Sequence, residues 1–295
     1  MTNYNHEEAL LNLIDDPDEE IFDTVKNRIV SLGTDMIPVL EDKWEKETSE
    51  DTQERIEIIL HDLYFSITQE KFKVWKQQES PSLLEGALLV ECMENPKLDS
   101  KKLIGQIEKI RRNIWLELNP YLTPIEQINV MNSIYFNYYK HVGLELSYDD
   151  PEIFLLNYLL ETQTGNYINN AILYLILCEM LDIPVTLVKI TNMGILSYSY
   201  FLAYTYPDAI NNKEGADPDQ IKFFIDPMTG KLCSQKEIKK IFRETDTPDG
   251  KNRIDFLSNI DIIRLLLMEI SSCYNKASNT KKCDEISALT IILYN

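Results

Sequence analysis

The sequence is short of the residues that most enzymes use for proton transfer and for cradling phosphate: 295 residues include three histidines and nine glycines. The histidines are His6, His61 and His141, so everything after residue 141 lacks an imidazole. No G-x-S-x-G, Walker A loop, H-E-x-x-H or G-x-G-x-x-G occurs, which removes the usual signatures of hydrolase, nucleotide-binding and zinc-protease chemistry. Five cysteines, Cys92, Cys178, Cys233, Cys273 and Cys283, are irregularly spaced, with no C-x-x-C and no cysteine–histidine pair at zinc-like spacing. A reduced, cytoplasmic protein with no metal and no cofactor is the expectation. No apolar run approaches the ~20 residues of a membrane span. The longest covers residues 171–178 and is closed by Glu179. The opening MTNYNHEEALLNLIDD has no basic stretch leading into an apolar core, so no secretory leader is expected.

Positive charge is also scarce. The net charge is −19, and residues 1–80 hold 20 Asp and Glu against 8 Lys and Arg. Nucleic-acid binding is dominated by Lys and Arg that neutralise phosphates, and no basic stripe offsets this acidity. Nucleic acid and membranes are therefore excluded as expected partners. The carboxylates between Glu41 and Glu57 read as a solvated helix face.

What is present is helical periodicity. Ile21, Phe22, Val25, Ile29 and Leu32 share a face in a segment that stops at Gly33. A helix with Ile37, Leu40 and Trp44 facing the same core follows, then one with Ile56, Ile59, Leu60 and Leu63, then a shorter one with Phe72 and Trp75. Paired helices of this length suggest a HEAT-like array over residues 1–79, with the polar QQESPS of residues 77–82 as the boundary. Beyond it come LLEGALLVECM and a helix from Ser100 with Leu103, Ile107, Ile110 and Ile114 on one face. Thr123-Pro124-Ile125-Glu126 is a capping box with proline at the first helical position. Another helix is expected to open at Asp150-Pro151-Glu152 and to end at Gly165 in a left-handed cap. After Pro184, PVTLVKI, SYSYFLAYT and IKFFID are rich in β-branched and aromatic residues and read as strands. KEIKKIF, RIDFLSNIDIIRLLLMEI and EISALTIIL then return to helix. The whole is an α+β chain, mostly helical, with helical arrays flanking a small antiparallel sheet.

Three segments carry a resemblance: LLEGALLVE, GNYINNAILYLILCEMLDIP, and FLAY followed by FFIDPMTGK. In order and spacing they resemble the SirB-type transglutaminase-like family. The helical N-terminus resembles the form of that family that begins with HEAT-like helices, and SNIDIIRLLLMEISSCY resembles its tetratricopeptide-like tail. The resemblance implies a papain-like core at 80–232 between the N-terminal array and a C-terminal helical segment at 233–295. It implies a nucleophile at the start of the central helix, a histidine on a following strand, and an aspartate on the next strand that orients it. Such a layout has physical logic. A helix N-terminus acidifies a thiol, imidazole takes its proton, and a carboxylate fixes the imidazole tautomer.

Carried over residue by residue, the nucleophile position falls on Asn169, the histidine position on Tyr200 and the acid on Asp226. Asn169 has neither thiol nor hydroxyl, and with Asn170 it suits a helix N-cap. Asp226, before Pro227, also suits a turn. Cys178 lies deep inside the apolar helix and reads as buried packing, and His141 as a surface or helix-end residue. The expected function is a non-catalytic transglutaminase-like protein that binds a protein or peptide. The alternative is an active hydrolase or acyltransferase using displaced residues. No feature of the sequence specifies an oligomeric state.

Overall fold

In the computed structural model, residues 9–96, 98–192, 197–206, 220–241 and 252–294 are described. The chain forms two compact units, Met1–Val74 and Trp75–Asn295. His6 and residues 193–196, the stretch ahead of the expected histidine strand, lie outside the described residues.

The first unit is helical: α1 (Glu19–Leu32), α2 (Ile37–Lys46) and most of α3 (Glu50–Lys76). Asp18 caps α1 by accepting from the Glu20 amide, and Gly33 ends it with φ 80°. Phe22, Val25, Ile29, Leu40, Ile56, Ile59 and Leu63 form its core. The periodicity thus locates this buried face, although Ile21, expected on it, is exposed, and two further corrections apply. Residues 50–76 form one continuous helix, where two were expected, because no glycine or proline interrupts them. Trp44 faces outward and donates its indole N–H to Glu57 at 3.0 Å.

The second unit contains α4 (Leu83–Glu94), α5 (Ser100–Glu117), α6 (Pro124–Asn132), α7 (Leu156–Thr162), α8 (Tyr167–Glu179), α9 (Gln235–Ile241), α10 (Asn259–Lys276) and α11 (Thr280–Tyr294). Its strands are β1 (Val142–Gly143), β2 (Thr164–Gly165), β3 (Val185–Asn192), β4 (Ser197–Thr205), β5 (Ile221–Ile225), β6 (Leu232–Cys233) and β7 (Asn252–Leu257). The last five form one antiparallel sheet in the order β6-β5-β4-β3-β7. The fold is α+β, mostly helical, with a small antiparallel sheet.

Strand β7 is a further departure from the sequence reading, which ran a helix through RIDFL. The strand pairs with β3 from Leu257 to Asn252, and α10 starts only after Ser258, which forms a capping box with Asp261. The Ser258 cap was the local signal for the break.

Helix α8 is the axis of this unit, and every residue from Ile168 to Cys178 is buried. Each fully buried Ile or Leu contributes about 2 kcal/mol of transfer free energy. The helix packs against β3 and β4. Cross-strand partners share a sheet face, so Leu187, Leu202 and Ile225 lie on one face, and Lys189 and Tyr200, two residues along, share it. On the other face Val188, Ile190, Ala203, Phe224 and Cys233 pack with Ile238 of α9.

Candidate active site

The start of α8 is where the sequence placed a nucleophile. Asn166 is the N-cap residue; its side-chain oxygen accepts from the amides of Ile168 and Asn169 at 3.0 and 3.2 Å. This corrects the assignment of the cap to Asn169 and Asn170, which lie inside the first turn. Asn169 is wholly buried, and its Nδ2 donates to the carbonyls of Ile153 and Leu155 at 2.9 and 3.3 Å. Its Oδ1 has no hydrogen-bond partner among the described residues. Gly165 explains the close fit there, since a Cβ on it would stand 2.5 Å from Asn169 Oδ1 and 2.8 Å from Asn170 Nδ2. Its job is therefore close approach. The left-handed C-cap expected of it belongs to Gln163, with φ 60° at the end of α7. The helix expected from residue 150 is also divided, into a 3-10 turn over Pro151–Phe154 and α7.

Asn170 holds the next layer. Its Nδ2 donates to the Asn166 carbonyl at 3.0 Å, and its Oδ1 accepts from the Tyr135 hydroxyl at 3.0 Å. Tyr135 sits in a π-helical turn, Ser133–Tyr138, which continues α6. Its ring lies 4.3 Å from the His141 ring. His141 is buried, at 3% exposure, which corrects its reading as a surface residue. Burial lowers its pKa to about 4, so the imidazole is neutral. No hydrogen bond joins it to Asn169, Tyr200 or Asp226 among the described residues.

Tyr200, at the histidine position, is half-buried and stacks on Tyr167 of α8, with centroids 5.3 Å apart and planes 7° from parallel. Burial, together with Tyr198 and Glu269, pushes its phenol pKa up to about 12. Asp226 follows β5. Its Oδ1 accepts from the Met228 amide at 2.9 Å and its Oδ2 from the Thr229 hydroxyl at 2.8 Å. Gly230, with φ 71°, closes this turn, and its carbonyl accepts from Asn132 Nδ2 at 2.7 Å. Asn132 Oδ1 accepts in turn from Tyr174 of α8 at 3.0 Å, tying the turn to the central helix.

The strand and the helix start are thus brought together through Tyr167 and Tyr200. Among the described residues the side chains of Asn169, Tyr200 and Asp226 form no hydrogen bond with one another. Cys178 is fully buried, and burial pushes its thiol well above the ordinary range. Sequence reasoning missed Tyr148, Tyr167 and Glu269, which meet beside Tyr200: both phenols donate to the Glu269 carboxylate, at 2.7 and 2.6 Å. Glu269 lies 102 residues from Tyr167, and no local pattern reports such a meeting. Among the described residues no group of three or more His, Cys, Asp or Glu is placed to hold a metal ion. No described helix is long and apolar enough to cross a membrane.

A buried central helix packed on a small antiparallel sheet is the fold that the sequence resemblance implied. Comparison with curated proteins and with solved structures finds no match in either. The family model described as the transglutaminase-like superfamily matches residues 101–267, from α5 through the sheet into α10. With more than half of its length matched over these elements, the chain belongs to the transglutaminase-like superfamily.

Proposed function

We propose that the protein is a non-catalytic member of this superfamily, of the SirB type, that binds a protein or peptide in the cytoplasm. In this reading residues 1–79 are a HEAT-like array, 80–232 the transglutaminase-like core and 233–295 a tetratricopeptide-like tail. The observation that carries it is Asn169: the nucleophile position holds a carboxamide that is wholly buried and donates to two backbone carbonyls. An amide there can neither attack a carbonyl nor accept activation by a base.

The competing enzyme reading needs Tyr200 and Asp226 to take over proton transfer. A phenol pushed up to about 12 is a poor base at neutral pH, and the Asp226 oxygens accept from their own turn. Cys178 of the same helix gives no substitute nucleophile, since it is fully buried.

Serine- and cysteine-directed activity probes test this on the purified chain. The expected result is no stoichiometric labelling of a single residue. A residue that labels, and stops labelling in Tyr200→Phe or Asp226→Asn, would overturn the reading. Iodoacetamide under native conditions should modify the partly exposed Cys92 and Cys283 first, and leave buried Cys178, Cys233 and Cys273 unmodified until unfolding. Peptide mapping by mass spectrometry gives the order.

A further inference from the structure

Beside the start of α8, Tyr148 and Tyr167 share one carboxylate, Glu269 of α10, and Tyr200 and then Tyr198 extend the cluster from Tyr167 by ring contacts. Tyr167 and Tyr200 stack in parallel, and Tyr198 meets Tyr200 with centroids 5.7 Å apart at 75°, so two ring planes form a corner. Tyr198 is 56% exposed, an aromatic face held in solvent on a strand whose Tyr200 and Phe201 are half-buried and whose Leu202 and Tyr204 are buried. That ring already carries a cation: Lys189 Nζ lies 4.3 Å from its centroid.

These features select one ligand chemistry. The face of an aromatic ring is negative through its quadrupole and attracts ammonium or guanidinium groups. Each Glu269 oxygen accepts a hydrogen bond from one phenol and retains lone-pair capacity, so the carboxylate adds negative charge at the hydroxyl edge of Tyr148 and Tyr167. An anionic ligand would meet repulsion from both. A guanidinium fits better than an ammonium, because it is planar, stacks on ring faces and gives up its hydration more readily.

We propose that this tyrosine corner docks an arginine side chain of a partner peptide, with Lys189 occupying the ring in the free protein and yielding it on binding. The proposal rests on the binding-module reading above and names its ligand class. The chain's net charge of −19 favours approach of a basic segment.

The test is calorimetric titration of the full chain with acetyl-Gly-Arg-Gly-Arg-Gly-amide, and with the same peptide carrying citrulline in place of both arginines. Citrulline keeps the planar shape and removes the charge. The arginine peptide should bind saturably and the citrulline peptide about tenfold more weakly, within the range of cation–π contacts. Tyr198→Ala, at an exposed position, should weaken arginine binding about fivefold with thermal unfolding unchanged, and Lys189→Met should strengthen it. Equal binding of the two peptides would overturn the proposal. So would binding that Tyr198→Ala leaves intact, which would assign it to general acidity. Failure to bind arginine in a chain that the activity probes do not label would remove the tyrosine corner and leave the binding-module reading. Labelling by the probes would remove that reading instead.

Discussion

Replacing Glu91 and replacing His141 should change the pH dependence of stability in opposite directions, by about 3 kcal/mol each over the range between their ordinary and shifted pKa values. Glu91 of α4 is 2% exposed; its Oε1 accepts from the amides of Leu156 and Asn157, and its Oε2 has no partner among the described residues. Burial, partly offset by the two amides, raises its pKa from 4.5 to about 7. The native state therefore holds the proton more tightly than the unfolded chain. Its contribution is complete below 4.5 and is lost as the pH rises through about 7. His141 is the reverse case, lowered by burial from 6.5 to about 4. Its contribution is complete above 6.5 and is lost as the pH falls through about 4. In Glu91→Gln the acceptor to the amides is kept and the titration removed, so stability relative to the parent should climb from acid to pH 8. In His141→Phe the ring against Tyr135 is kept, and the relative gain should appear on the acid side. Urea unfolding at a series of pH values reads both slopes. Parallel curves for parent and variant would show that the side chain does not titrate in a buried setting.

The second large effect is steric. Gly86→Ala should destabilise the second unit by about 2–4 kcal/mol, although alanine gains about 1 kcal/mol in helix propensity. A Cβ at Gly86 would lie 2.5 and 2.9 Å from atoms of the Trp75 indole and 2.8 Å from Ile263 Cγ1. The indole is rigid and cannot fold aside, and its N–H donates to the carbonyl of Ser82, the N-cap of α4, at 2.9 Å. Relief of the clash must therefore break that bond or shift α4 away from α10. Thermal unfolding of Gly86→Ala against Gly105→Ala makes the comparison, because Gly105 has open space within 4 Å of its Cβ position. Gly105→Ala should be neutral or stabilising. Equal melting temperatures for the two variants would show that the α4 contact is looser than these distances imply.

The Glu91 and Gly86 effects turn on contacts between segments distant in sequence, and such contacts are what could not be read in advance. Thr123, Ser258 and Asp18 announce their helix starts, since a capping side chain bonds within three residues of itself. Helix α7 has no such signal: its N-cap residue, Leu155, carries no capping group, and Glu91, 65 residues earlier, accepts from the Leu156 amide in its place. The break between β7 and α10 was legible at Ser258, but Arg253 to Leu257 became a strand through pairing with β3. His141 reads as a polar residue after a helix, and the structure buries it with the Tyr135 ring tilted against it and the Tyr139 ring stacked on it.

The sequence by itself determined the helical and strand segments with clear periodicity, the buried central helix, and the chemistry present at three positions: a carboxamide at 169, a phenol at 200 and a carboxylate at 226. These follow from local hydrophobic spacing and residue identity, which require no knowledge of neighbours. The tertiary structure alone decided which groups those side chains meet. Asn169 turns to the carbonyls of Ile153 and Leu155, Asp226 to its own turn, and Tyr200 to Tyr167 with Glu269 behind it. Hydrogen bonds and ring stacking act over a few ångströms, and the fold sets which distant residues fall within that range.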